Sequence, residues 1–171
     1  MTETEAGAAR SAFWQFSLNF YRQPGVAPAC LTLQDEAGVD VNLLLFLLWQ
    51  ATQQRALSAA DVRAIEERIR PWREMTVMPL RAVRRALKAP PALVEAGAAE
   101  AYRNRIKAVE LEAERLQQEA MQGLVAVGAV GVPAASVDAA ARTSLAAYQT
   151  LIPAKFPPAT GEILIAALGR C

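Results

Sequence analysis

The chain has 171 residues, 53% of them apolar, and its charges nearly cancel at a net +1. This balance is typical of one folded domain, and it excludes a disordered acidic chain and a globally basic nucleic-acid binder. The chain contains no histidine, which excludes Ser-His-Asp, Cys-His and histidine-ligated metal sites. Its two cysteines form no disulfide or zinc pattern, so we expect a reducing compartment.

The N-terminal segment carries Glu3 and Glu5 where a secretory signal carries positive charge. We expect residues 1–10 to form a flexible tail and residues 11–171 to form a single helical domain. The longest apolar run, Leu43 to Trp49, is much shorter than the roughly 18 residues of a membrane span. These features together predict a cytoplasmic protein without a transmembrane segment.

The first helix is predicted over about residues 11–22, because Phe13, Phe16 and Phe20 recur at helical spacing. Their aromatic face is expected to point toward the core. A second helix follows the Pro-Gly break and ends at Gly38, since glycine readily adopts the left-handed conformation that stops a helix.

The central helix is predicted over residues 40–54. Asp40 is suited to cap its N-terminus, because a carboxylate accepts backbone N–H groups two or three residues on. The run Leu43 to Trp49 is apolar all round, so other helices should surround it. Asn42 lies among these residues and needs a buried hydrogen-bonding partner. We therefore predict an all-α single-domain bundle of about seven or eight helices around this central helix.

Two more helices are predicted on either side of a break at residues 72–79. The first covers about residues 59–70, where Ser58 and Asp61 form a capping pair, and it ends because Pro71 interrupts the hydrogen-bond ladder. The second begins after the break and ends at a pair of prolines.

The longest helical pattern covers residues 93–122. Its apolar residues alternate at steps of four and three, which is typical of a coiled-coil seam. We call this set the apolar seam: Tyr102, Ile106, Val109, Ala113, Leu116 and Ala120. We expect it to pack within the bundle, and the alternative is a homodimer through helix 93–122. Two shorter helices follow, and no strand alternation is found.

Four cationic residues share one arc of the helix after the break, because they are three, four and seven positions apart. We call them the basic face: Arg81, Arg84, Arg85 and Lys88. Such a face can bind phosphate, an anionic lipid or an acidic protein surface. The simpler interpretation is a solvated face, or pairing with Glu66, Glu67 and Glu74.

Polar groups also gather just before and inside the central helix. We call them the acidic turn: Asp35, Asp40 and Asn42. Paired carboxylates can perform acid–base chemistry or hold a divalent cation. The simpler interpretation is that Asp40 caps the helix, Asn42 bonds the backbone of the turn, and Asp35 faces water. No metal site and no cofactor are predicted.

Two stretches carry a family resemblance: residues 13–49, FWQFSLNFYRQPGVAPACLTLQDEAGVDVNLLLFLLW, and residues 79–88, PLRAVRRALK. They resemble a family of small proteobacterial proteins of unknown function. The resemblance covers roughly the first half of the chain. It implies a bacterial cytoplasmic origin and supplies no activity, cofactor or catalytic residue.

Because no motif for nucleotide, metal or covalent chemistry is found, the leading prediction is a non-enzymatic adaptor. It would hold a protein partner through the basic face or the apolar seam. One alternative is a small-molecule-binding protein or enzyme in which Asp35 and Asp40 face Arg81 and Arg84 across a pocket. Another is attachment to an anionic membrane or RNA through the basic helix, although nucleic acid is disfavoured because no recognition motif accompanies it. The catalytic residues, if any, are unknown at this stage.

Overall fold

The computed structural model describes residues 11–127 and 130–170, so the predicted tail at residues 1–10 lies outside the described residues. Within the described ranges the chain is a bundle of eight α-helices, which confirms the predicted all-α class. The helices are α1 (Ala12–Tyr21), α2 (Val26–Ala37), α3 (Val41–Thr52), α4 (Ala59–Trp72), α5 (Met78–Ala86), α6 (Ala96–Val127), α7 (Val137–Gln149) and α8 (Pro158–Leu168). A π-helical segment, Arg73–Val77, joins α4 to α5.

The centre of the bundle is α3, as predicted for residues 40–54. Every side chain from Leu43 to Leu48 is buried, and α1, α2, α6 and α7 all contact this helix. Asp40 caps it: Oδ1 accepts hydrogen bonds from the backbone N–H groups of Asn42 at 2.8 Å and Leu43 at 3.1 Å. Because removing one buried leucine side chain costs about 2–5 kcal/mol, truncating a leucine of α3 should destabilise the whole bundle.

The helix that was expected to end before Pro71 continues through it. The predicted capping box does start α4, but helical structure runs on through the π-helical segment into α5, so the predicted break at residues 72–79 is wrong. Pro71 removes one backbone hydrogen bond, and tertiary contacts hold the chain in place beyond it. The indole N–H of Trp72 donates to the carbonyl oxygen of Ala113 at 3.0 Å, and α5 then packs along α6.

Helix α6 buries a different face from the one predicted. Three members of the apolar seam, Tyr102, Val109 and Leu116, are 47%, 52% and 41% exposed, so the expectation that the seam packs inside the bundle is wrong for most of its length. Beyond Ala99, the buried stripe is largely polar and consists of Glu110, Ala113, Gln117, Gln118 and Met121. This face turns inward because its polar groups find partners on α3 and α5, which hydrophobic spacing alone does not reveal.

Two short strands form an antiparallel ladder in the described part of the chain, although no strand was expected. They are β1 (Arg55–Ala56) and β2 (Val132–Pro133), with Ala56 opposite Val132. Gly131 precedes β2 with a φ of 71°, and a Cβ there would lie 2.5 Å from the Ala56 carbonyl oxygen. Only glycine tolerates both this conformation and this approach. The ladder ties the chain before α7 to the end of α3.

Candidate functional site

A cleft of about 690 Å³ opens between α1, α2, α3, α5 and α6. Part of its lining is apolar and comes from Trp14, Leu18, Leu31, Leu45 and Leu111. The rest is polar or charged. The volume of this cleft lies within the range of about 300–1,000 Å³ that is common for small-molecule sites.

All four residues of the basic face line this cleft. Arg81 donates through Nε to Glu110 at 3.1 Å and through Nη2 to Glu114 at 2.8 Å. Arg84 donates two hydrogen bonds to the Glu110 carboxylate. The side chains of Arg81 and Arg84 are only 24% and 21% exposed. We call Arg81, Arg84, Glu110 and Glu114 the Glu110 cluster. Its hydrogen bonds connect the basic face to α6.

The carboxylates expected to pair with the basic face lie elsewhere. Glu66 pairs with Arg73 at 2.6 Å and with Arg70 at 3.5 Å. Within the described residues, neither Glu67 nor Glu74 forms an ion pair with the basic face. The reason is the uninterrupted helical path from α4 to α5, which places the basic face along α6 and brings it to Glu110 and Glu114 of that helix.

The two α6 carboxyl groups in the cleft have pKa values shifted in opposite directions. Burial by itself raises the pKa of Glu110, but hydrogen bonds from Arg84 and Arg81 outweigh it, so this pKa lies below its usual value. Burial also raises the pKa of Glu114, and although the charge of Arg81 lowers it in part, this pKa remains above its usual value. Glu110 is therefore a charged anchor for the arginines, and Glu114 is the more easily protonated neighbour.

The lining of the cleft contains twice as many cationic side chains as carboxylates. The carboxylates are Asp35, Glu110 and Glu114, and the cations are Arg22, Arg81, Arg84, Arg85, Lys88 and Lys107. In the described part of the chain, Arg22, Lys88 and Lys107 form no ion pair. A cleft lined by an excess of one charge concentrates ligands of the opposite charge.

Two buried oxygen atoms belong to residues that line the cleft and have no hydrogen-bond partner among the described residues. They are Ser17 Oγ and Gln118 Oε1. The Nε2 amide group of Gln118 donates to Asn42 Oδ1 at 2.8 Å, which gives Asn42 the buried partner that its position requires. An unpaired buried polar group costs about 1–3 kcal/mol. Both oxygen atoms are shielded from solvent, so each is a local cost to the stability of the fold.

The acidic turn divides between two environments. Asp35 lies at the rim of the cleft, where its Oδ1 accepts a hydrogen bond from Arg85 Nη2 at 3.0 Å, and this contact lowers the pKa of its carboxyl group. Asn42 lines the cleft beside Gln118. Asp40 points instead toward Arg73, whose Nη1 donates to Asp40 Oδ2 at 2.9 Å. The alternative that Asp35 and Asp40 together face Arg81 and Arg84 therefore has support for Asp35 only.

Asp40 belongs to a separate group of partly buried polar residues. We call it the Asp40 cluster: Asp40, Glu66, Arg73, Gln117 and Tyr148. Gln117 donates to Asp40 Oδ2 at 3.3 Å, and the backbone N–H of Asp40 donates to the Tyr148 hydroxyl oxygen at 2.9 Å. Burial raises the pKa of Tyr148, so this hydroxyl stays neutral. Hydrogen bonds connect this cluster across α3, α4, the π-helical segment, α6 and α7, although Gln117 Oε1 has no hydrogen-bond partner among the described residues.

Sequence reasoning missed the cleft residues contributed by α6, and Ser17 of α1. Glu110, Glu114 and Gln118 recur at steps of four on α6 and form a polar stripe beside the apolar seam. That stripe was the available signal, because residues four apart lie on the same face of a helix. Ser17 gave no comparable signal, since it is one small polar residue among the aromatic residues of α1.

A second, more open depression of about 290 Å³ lies between α7 and α8. Its cation, Arg142, donates to Asp138 at 2.9 Å and to both carboxylate oxygens of Glu162. With its one cation paired in this way, the depression offers a charged ligand less than the larger cleft does. Within the described ranges, no group of residues is arranged to hold a metal ion. No helix of those ranges is long and apolar enough to cross a bilayer.

The model of one protein family, described as "Protein of unknown function (DUF2390)", matches residues 12–121 of the chain. This segment contains every residue that lines the larger cleft, from Trp14 to Gln118, whereas α7 and α8 lie beyond it. No curated protein and no solved structure matches the chain.

Proposed function

This chain belongs to DUF2390, a family of unknown function, and we propose that it is a binding protein for a small amphipathic molecule. The observation that carries the proposal is the cleft itself. It joins an apolar lining to an excess of cationic side chains. Its volume of about 690 Å³ lies within the range of about 300–1,000 Å³ that is common for small-molecule sites.

The orientation of the basic face favours this proposal over an adaptor or a membrane- or RNA-binding protein that uses the same face. Arg81 and Arg84 form ion pairs with Glu110, and their side chains are mostly buried. A flat protein, lipid or RNA surface would therefore meet few free guanidinium groups. A small molecule inside the cleft reaches the same side chains from within.

A neutral, environment-sensitive dye such as Nile red tests the proposal. We expect saturable binding of one dye molecule per chain, measured by fluorescence titration. Leu111, which lines the cleft and is half exposed, is the place to obstruct it: Leu111→Trp should weaken dye binding at least tenfold. The matched control is Leu116→Trp, because Leu116 is similarly exposed on the same helix but does not line the cleft. Non-saturable binding, or equal weakening by both variants, would reject the cleft as a binding site.

A second candidate, self-association through α6, is favoured by the exposed members of the apolar seam. Tyr102, Val109 and Leu116 lie seven residues apart on a helix of 32 residues, which is the spacing of a coiled-coil interface. The helix is basic around Arg105 and acidic around Glu112 and Glu119. An antiparallel pair of such helices would place the basic part of one copy beside the acidic part of the other.

Light scattering coupled to gel filtration tests this second candidate. We expect a concentration-dependent dimer that Val109→Glu converts to a monomer. Leu111→Glu is the matched control, because Leu111 is equally exposed on α6 but turned to the cleft. A monomeric wild-type chain at all concentrations would contradict the candidate.

A further inference from the structure

The contacts between α5 and α6 form a ladder of facing side chains. Arg81 contacts Glu114, and Arg84, about one turn further along α5, contacts Glu110, about one turn back along α6. The two helices therefore run antiparallel. Continuing by one more turn in each direction leads to Lys88, just past the end of α5, and to Lys107 on α6.

These two positions differ from the first two pairs because both carry a cation. Lys88 and Lys107 are exposed, line the cleft and have no ion-pair partner in the described ranges. Arg85, beside them in the cleft lining, shares its charge with Asp35 alone. The two lysines therefore line one cleft without a carboxylate partner of the kind that the first two pairs contain.

We propose that the ligand itself supplies this negative charge: the cleft binds an amphiphile whose head group is an oxyanion, a carboxylate or a phosphate, held between Lys88 and Lys107. Its apolar part lies against Trp14, Leu18 and Leu45. Lysine is well suited to this role because its ammonium group binds oxyanions as a point charge. The inference rests on the proposed binding function of the cleft and adds the chemical class of the ligand.

The ligand class is tested with four compounds that share a ten-carbon chain: decanoate, decyl phosphate, decanol and decylamine. Each is titrated against bound Nile red below its micelle concentration. We expect the two anions to displace the dye roughly tenfold more tightly than decanol, and decylamine to be the weakest. The advantage of the anions should shrink as salt rises, because exposed ion pairs are screened. The stronger of the two anions identifies the head group.

The position of the head group is tested with Lys107→Glu, which replaces one of the two cations with a carboxylate in the same cleft. We expect decanoate to bind roughly tenfold more weakly, decanol to bind as before, and thermal stability to stay the same or rise. Lys155→Glu is the matched control, since Lys155 is exposed outside the cleft and the charge change is identical. Equal losses of decanoate affinity in both variants would overturn the placement between Lys88 and Lys107.

The outcomes separate this inference from the proposed function. If Nile red binds in the cleft and decanol displaces it as well as decanoate does, the cleft remains a binding site and the oxyanion class is wrong. If neither the dye nor any of the four compounds binds, both proposals are wrong. If vesicles of anionic lipid bind the chain while decanoate does not, the lysine pair serves a lipid surface and the small-ligand inference is overturned.

Discussion

The Asp40 cluster and the Glu110 cluster are both built around pairs of arginine and carboxylate side chains, but they differ in their surroundings. In the Asp40 cluster, Arg73 bridges Asp40 and Glu66, and Gln117 and Tyr148 form further hydrogen bonds to Asp40. In the Glu110 cluster the arginines are also paired, but additional unpaired cations line the same cleft. We conclude that the closed cluster stabilises the fold, and that the open one is the place where binding is to be sought.

The largest expected effect is the loss of stability on breaking the closed cluster. Arg73→Ala leaves Asp40, whose side chain is 6% exposed, without its cation, and removing one partner of a buried pair costs about 3–5 kcal/mol. We expect a decrease of about 3 kcal/mol in the free energy of unfolding, measured with urea. Since one hydrophobic core contains residues of both α1 and α8, we expect the chain to unfold in a single cooperative transition. The substitution should shift the midpoint of that whole transition.

Arg142→Ala is the control for this measurement. Arg142 pairs with Asp138 and Glu162 on the surface, where ion pairs contribute about 0–1 kcal/mol. If Arg73→Ala destabilised the chain no more than Arg142→Ala, the description of the Asp40 cluster as a stabilising element would be wrong.

A smaller loss of stability is expected in the open cluster. Arg84→Ala removes two hydrogen bonds from Glu110, but Arg81 remains to neutralise that carboxylate. We expect a loss of about 1.5 kcal/mol, near the lower end for hydrogen bonds to charged groups, together with weaker binding of decanoate. Arg73→Ala, in contrast, should leave the affinity of the folded chain unchanged. The opposite pattern of affinities would place the binding site at the Asp40 cluster.

The pH dependence of stability should differ in sign between the two carboxyl groups of the Glu110 cluster. The pKa of Glu110 is lowered, so its contribution is present above the ordinary value of 4.5 and is lost as the pH falls below it. The pKa of Glu114 is raised, so its contribution is present below 4.5 and is lost as the pH rises through the folded-state pKa. As the pH falls, the stability of Glu110→Gln should rise relative to that of the wild type. As the pH rises, the stability of Glu114→Gln should rise relative to that of the wild type.

Urea unfolding of both variants and the wild type at pH 3.5, 4.5 and 7 measures this difference. Parallel pH profiles for Glu110→Gln and Glu114→Gln would show that the two carboxyl groups share one environment, contrary to the structure.

The smallest expected effect concerns the unpaired hydroxyl group in the cleft. Ser17→Ala removes an oxygen that has no hydrogen-bond partner in the described residues, so we expect stability to change by less than about 0.5 kcal/mol or to rise. Ser144→Ala is the matched control, because Ser144 is also buried but its Oγ accepts the backbone N–H of Leu57 at 2.9 Å. That change should cost about 1–3 kcal/mol. Thermal unfolding of both variants compares them, and equal losses would show that Ser17 is bonded in the folded chain.

Local patterns predicted the helices well wherever caps and apolar runs decide the structure. Asp40 starts the central helix as expected, and the run that follows it is buried. Pro71 misled the prediction because its local cost was offset by contacts far along the chain, such as the bond between Trp72 and Ala113. The apolar seam misled it because exposed apolar residues are common on protein surfaces, and the polar side of α6 had the better partners.

The candidate site was predicted only in part. The grouping of Arg81, Arg84, Arg85 and Lys88 follows from helical spacing, and all four do line one cleft. Their partners did not follow, because Glu110 lies 26 residues beyond Arg84 and local spacing carries no information at that distance.

The amino-acid sequence by itself determined the all-α class, the central helix with its cap and the clustering of positive charge on one helical arc. Each of these depends on residues within a few turns of one another, where backbone geometry is known in advance. Only the tertiary structure decided which way the basic face points and which residue forms a hydrogen bond with the Asn42 side chain. It also decided that Asp35 and Asp40 lie in different surroundings. Those outcomes depend on how α5 and α6 are placed against each other. Contacts between distant residues set that placement, and so they also shape the cleft.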